Sequence, residues 1–151
     1  MEDFFSYPVR QRSSTSILRR LGFLAAMAGI LTIASATAAA EQNTFTKWIT
    51  TAPTMAGVVG GADGDGIYAG EILKYTPGDT TVIEALYHFN GTKHAFTALV
   101  HVVQAGMKAV ISGVVTEGWS MGHQVKGEYT QITSNQSPNG TAFQGTLDIL
   151  N

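Results

Sequence analysis

The stretch MKAVISGVVTEGWSMGHQVKGEYTQI, Met107 to Ile132, decides the fold. Its first half, Lys108 to Val115, is β-prone and apolar. Its second half alternates. Val125, Gly127, Tyr129 and Gln131 fall on one side of an extended chain, and Gln124, Lys126, Glu128 and Thr130 on the other. A period of two is that of a strand with one buried and one wet face. Between the halves, Gly118, Trp119 and Gly122 punctuate a corner. Glycine in such a place marks a bend or a close approach of backbone. The stretch predicts two strands of a small β-barrel.

Working outward, the same signals recur. Thr44 to Thr51 and Met55 to Gly61 read as short strands separated at Pro53. Asp63-Gly64-Asp65-Gly66 reads as a solvated turn,. Ile67 to Tyr75 and Thr80 to Phe89 are strands joined through Thr76-Pro77-Gly78-Asp79. Asn90-Gly91 is the strongest short hairpin dipeptide and leads into the strand Lys93 to Gln104,. After the polar loop Ser134 to Gly140, Thr141 to Leu150 places Phe143, Gly145, Leu147 and Ile149 on one face. About eight strands joined by short hairpins predict an all-β, eight-stranded antiparallel β-barrel over residues 41–151. Closure also removes the sheet edges that invite aggregation.

Residues 1–40 differ in character. They hold every arginine of the chain, Arg10, Arg12, Arg19 and Arg20, followed by the apolar run Leu21 to Ile33 and an Ala-rich end. That order is expected of a secretory signal peptide cleaved after Ala38 or, by preference, Ala40, giving a secreted or periplasmic protein. The alternative is an uncleaved anchor, since a bilayer needs about 20 apolar residues; the Ala, Thr and Ser of the second half favour cleavage.

The remaining 111 residues carry five lysines, no arginine and nine acidic residues, a net charge of −4. Without a basic face, nucleic acid is not an expected partner, nor is a membrane after cleavage. There is no cysteine, so stability must come from packing, closure or a partner subunit. Phe96 to Val103 and Ala109 to Val115 are apolar on both faces. Doubly apolar strands predict a covered outer face, hence a homodimer or homotrimer.

The segment AVISGVVTEGWSMGHQVKGEYTQI resembles the part of allene oxide cyclases and dirigent proteins in which a strand enters a Gly-rich corner and leaves through a bulky residue. Here Gly113 to Gly118 would be the corner and Trp119 the bulky residue. Tyr68-Ala69-Gly70-Glu71 is similar to the Tyr-x-Gly-Asp element of the cyclases. The resemblance covers roughly Ile67 to Ile149. It implies an eight-stranded barrel, often dimeric or trimeric, and cofactor-free cyclisation of a reactive lipid epoxide or guidance of a radical coupling. The Pro-Phe-x-Asn segment of the cyclases is replaced by Gly-Ala-Asp-Gly-Asp-Gly, and Phe45 to Thr50 lacks their first-strand acid.

Strand parity nominates a site. If Tyr129 points inward, the matching sets are Ala69, Glu71, Leu73 and Tyr75 on one strand and Ile83, Ala85, Tyr87 and Phe89 on the next. Glu71 becomes the candidate acid or base, because a carboxyl in apolar surroundings has its charged form disfavoured. It could equally pair with a lysine or stand at the rim. Tyr129 would assist it. Tyr75, Tyr87, Phe89, Trp119 and Phe143 are the candidate ligand-binding residues, with Trp119 either capping the mouth or packing beneath the corner. His94 and His101, seven apart on one strand, cannot share a metal, so no metal and no cofactor is expected. The expected partner is a small apolar or aromatic molecule. Three functions remain open: a cofactor-free cyclase or coupling guide, a lipocalin-like binding protein without catalysis, and an interaction protein with a filled core.

Overall fold

The structure, a computed structural model, describes residues 40–151. The expected leader lies outside the described residues except for Ala40. The described chain forms eight strands: β1 (Glu41–Ile49), β2 (Thr54–Gly61), β3 (Gly66–Thr76), β4 (Thr80–Gly91), β5 (Ala95–Ala105), β6 (Lys108–Gly118), β7 (Gln124–Thr133) and β8 (Thr141–Leu150). Each pairs antiparallel with its sequence neighbour, and β1 pairs with β8 to close the barrel.

Alternation positions the core as the sequence predicts on most strands. Ala85, Tyr87 and Phe89 of β4 are buried, as are Val125 and Tyr129 of β7 and Leu147 and Ile149 of β8. On β5 and β6 the inner set is buried, including Val100, Val102 and Ile111, while the outer apolar set is exposed. Leu86, Leu99 and Val114 form one outer row across β4, β5 and β6; Val82, Val103 and Val110 form another, with Glu84, His101 and Ser112 between them.

Strand β3 departs from simple alternation. Tyr68 and Gly70 face inward, so Ala69, Glu71 and Leu73 face outward, opposite to the expected parity. The cause is a bulge at Leu73: Ile72 pairs with Ala85 and Lys74 with Glu84, leaving Leu73 as the extra residue. A bulge sets two residues against one and reverses the facing of the residues beyond it. Tyr75 therefore sits opposite the inward-facing Ile83, on the expected side, whereas Glu71 does not.

Two turns also differ from expectation. Asp63 is buried rather than solvated. Its carbonyl accepts backbone N–H bonds from Lys93 at 2.9 Å and His94 at 3.3 Å. The β4–β5 reversal consequently falls after Gly91, because the Asp63 carbonyl approaches Gly91 so closely that a Cβ there would lie 2.2 Å from it.

Candidate functional site

The two ends of the barrel are built differently. The end carrying the β2–β3, β4–β5 and β6–β7 turns is sealed by a chain of polar contacts. Asn43 donates to the Asp63 carboxylate at 2.6 Å and accepts from the Asp63 backbone N–H at 3.0 Å. His94 Nδ1 meets the other carboxylate oxygen at 2.9 Å. The His94 ring stacks on Trp119 with centroids 3.8 Å apart, and Trp119 Nε1 donates to Glu41 at 3.1 Å. Beneath this seal Phe45, Tyr68, Phe89 and Phe96 fill the interior, Phe89 and Phe96 stacked at 4.9 Å.

The opposite end is hollow. A cavity of about 180 Å³ opens among the β1–β2, β3–β4 and β5–β6 turns. Ile49, Ile72, Ile83 and Phe143 wall it, and the exposed Tyr75 stands at its rim. An apolar cavity of about 150 Å³ suffices for benzene, so this one admits a molecule of single-ring size.

Lys47, Tyr87, Tyr129 and Gln104 form the polar part of the lining. Lys47 lies on β1 between Phe45 and Ile49 on the inward face and is 3% exposed. Its amino group donates to the Tyr87 hydroxyl. Nζ also lies 4.1 Å from the Tyr87 ring centre and 4.6 Å from that of Tyr129. Tyr129 donates to Gln104 Oε1 at 2.9 Å, and Gln104 Nε2 donates to the Gly106 carbonyl at 3.0 Å. Among the described residues the one acid–base contact of salt-bridge length is His94–Asp63, so no carboxylate pairs with Lys47.

Two effects oppose each other at that amine, whose Nζ has five aromatic ring centres within 6.0 Å. Burying an ammonium costs several kcal/mol, whereas a cation–π contact returns about 0.5–2 kcal/mol. Burial therefore holds Lys47 well below the usual lysine range, favouring the neutral amine. The tyrosines move the other way. Burial pushes Tyr68 and Tyr87 well above the phenol range, reinforced at Tyr68 by Tyr87 and Tyr129 and at Tyr87 by Tyr129, and raises Tyr129 to about 12. The cavity floor thus sets an amine whose charged form burial disfavours beside protonated hydroxyls.

Of the residues nominated from sequence, Tyr75, Tyr87, Tyr129 and Phe143 come together around the cavity. Phe89 is buried in the filled half. Trp119 belongs to the sealed end, stacked on His94. Glu71 is exposed on the outer face, paired in register with Thr54 and Leu86, and does not line the cavity.

Comparison with family models, curated proteins and solved structures finds no match.

Sequence reasoning passed over Lys47. The signal was a lysine sharing the face of Phe45 and Ile49 on an alternating strand. Such a lysine must either be buried or turn the whole strand over, and closure of the barrel buries it. Among the described residues no cluster of metal-ligating side chains occurs.

Proposed function

We propose that the barrel binds a small, mainly apolar molecule, with its ring or chain against Ile83 and Phe143 and a polar end directed at Lys47 and Tyr87. One observation carries this reading: a buried amine, with no carboxylate partner among the described residues, faces an apolar cavity. A core built only for stability gains by placing an aliphatic side chain there, because an amine gives up hydration on burial. Small-molecule sites are mostly apolar with a few placed polar groups, and this lining has that composition.

The resemblance to allene oxide cyclases and dirigent proteins extends the proposal to cofactor-free cyclisation or coupling. In that case the cavity walls hold one reactive conformer. Tyr129 is placed to hydrogen-bond the ligand; Glu71, outside the barrel, is not. The leader pattern supports action outside the cytoplasm. The outer apolar rows on β4, β5 and β6 support assembly with further copies of the same chain.

Titration with an environment-sensitive apolar fluorophore tests the binding reading. Saturable uptake of one equivalent per chain is expected, lost when Ile83→Trp fills the cavity with the β circular dichroism retained. Absence of saturable uptake by the wild-type protein would overturn it.

A further inference from the structure

We propose that Lys47 captures the carbonyl carbon of an uncharged aldehyde or ketone as a reversible imine. The inference rests on the binding reading above and names the ligand's reacting group.

Geometry supplies the parts. The buried Lys47 lines the cavity and the exposed Tyr75 stands at its rim, so a ligand entering past Tyr75 comes within reach of the amine. Tyr87 accepts a hydrogen bond from Nζ, which keeps its own proton for the carbonyl oxygen. Among the described residues no carboxylate pairs with the amine. The free base has a lone pair and the ammonium has none, so the burial that disfavours the charged form also favours the nucleophilic one,.

The chemistry balances without another reagent. The Nζ lone pair attacks the carbonyl carbon, forming the C–N bond while the C=O π pair moves to oxygen. One N–H proton passes to that oxygen, giving a carbinolamine. The C–O bond then breaks, the second N–H proton leaves with the hydroxyl as water, and a C=N bond remains. Returning water reverses each step.

The lining also restricts the ligand. Between residues 41 and 151 there is no arginine, and the other four lysines, Lys74, Lys93, Lys108 and Lys126, are exposed. Nothing in the cavity would clamp a phosphate or carboxylate once Lys47 is engaged. An uncharged carbonyl compound with one aromatic ring or a short unsaturated chain fits a space of about 180 Å³.

Cinnamaldehyde is a suitable probe, and cinnamyl alcohol has nearly its shape without the carbonyl. The protein is incubated with the aldehyde near pH 7, reduced with borohydride and digested, and the adducts are mapped by mass spectrometry. An ordinary lysine keeps less than about 0.1% of its amine neutral at that pH. Labelling at Lys47 is therefore expected to exceed that at each of the other four lysines by about tenfold or more. It should be suppressed by excess cinnamyl alcohol and abolished in Lys47→Arg. Even labelling of all five lysines in the wild-type protein would overturn the proposal, and needs no variant to fold. Displacement of the fluorophore by cinnamyl alcohol without an aldehyde adduct at Lys47 would overturn the imine and leave the binding site standing. Failure of both ligands to displace a fluorophore that binds would overturn the imine and the ligand class, and failure of the fluorophore itself would remove the binding reading.

Discussion

The amino group of Lys47 on β1 donates to the hydroxyl of Tyr87 on β4, across the barrel interior and forty residues apart in sequence. Neither strand is the other's neighbour in the sheet. The bond fastens the one fully buried lysine to the wall facing it.

Removing the pair together should therefore stabilise the fold. The double variant Lys47→Met, Tyr87→Phe is expected to gain about 1–3 kcal/mol at neutral pH, as seen when buried charged groups give way to packed apolar ones. Lys47→Met alone should gain less, because the orphaned hydroxyl costs about 1–3 kcal/mol. Urea unfolding measures both; a double variant no more stable than wild type would mean that the amine carries no burial cost.

Stability should also depend on pH through Lys47. Its folded pKa is depressed, so the unfolded state binds the extra proton between that value and the unfolded value of about 10.4. Over that window wild-type stability rises with pH, by up to about 1.4 kcal/mol per unit from this one group. The tyrosines act oppositely. With Tyr129 raised to about 12, the unfolded phenols ionise first and stability falls from about pH 10 upward. The difference between Lys47→Met and wild type should shrink between pH 7 and 10, and a difference constant with pH would contradict the neutral amine.

At the sealed end, Asp63→Ala should destabilise by about 2–3 kcal/mol, since a buried carboxylate there accepts from Asn43 and meets His94,. Adding Asn43→Ala should cost less than the two single losses summed, because the residues share one network. Probe binding at the other end should survive in whatever fraction remains folded, read by fluorophore titration alongside chemical denaturation.

Two glycines should respond differently to alanine. Gly118 has φ +80°, and a Cβ there would lie 2.4 Å from the Ala95 carbonyl oxygen. Gly106 has φ +59° and open space around it. Gly106→Ala should cost about 1 kcal/mol for the left-handed backbone alone, and Gly118→Ala clearly more. Thermal melts of the two variants rank them.

The outer rows bear on assembly. Val110 is 64% exposed and Leu99 40%. Light scattering should give a mass above that of one chain, and Leu99→Glu with Val110→Glu should return it to the monomer without loss of probe binding. A monomeric wild type would leave these rows without a copy to cover them.

The barrel was legible because most strands obey one period and most turns carry their own residues. Strands β4, β7 and β8 needed only alternation. Strand β3 did not yield, since Leu73 is an ordinary strand residue and its bulge exists only through pairing with β4. That bulge placed Tyr75 on the expected side and Glu71 on the other. The Asn90-Gly91 signal gave way to a contact with Asp63, distant in sequence, and the same contact hid Asp63 from a reading based on turn composition. Lys47 was visible on the apolar face of its strand, but its meaning depends on having no acid partner among the described residues, which only the assembled barrel shows.

The way the ring closes has a consequence for how it forms. Seven of the eight ladders join strands adjacent along the chain; the eighth brings Glu41 opposite Ile149. Hairpins can thus assemble locally and early, while the β1–β8 seam waits on a loop of the whole domain. The seam also puts the start of β1 beside the end of β8, so a short linker could join them and a new start be cut in the exposed turn after Thr76. Such a circular permutant would keep the same ring of ladders and simply shift which of them is zipped last.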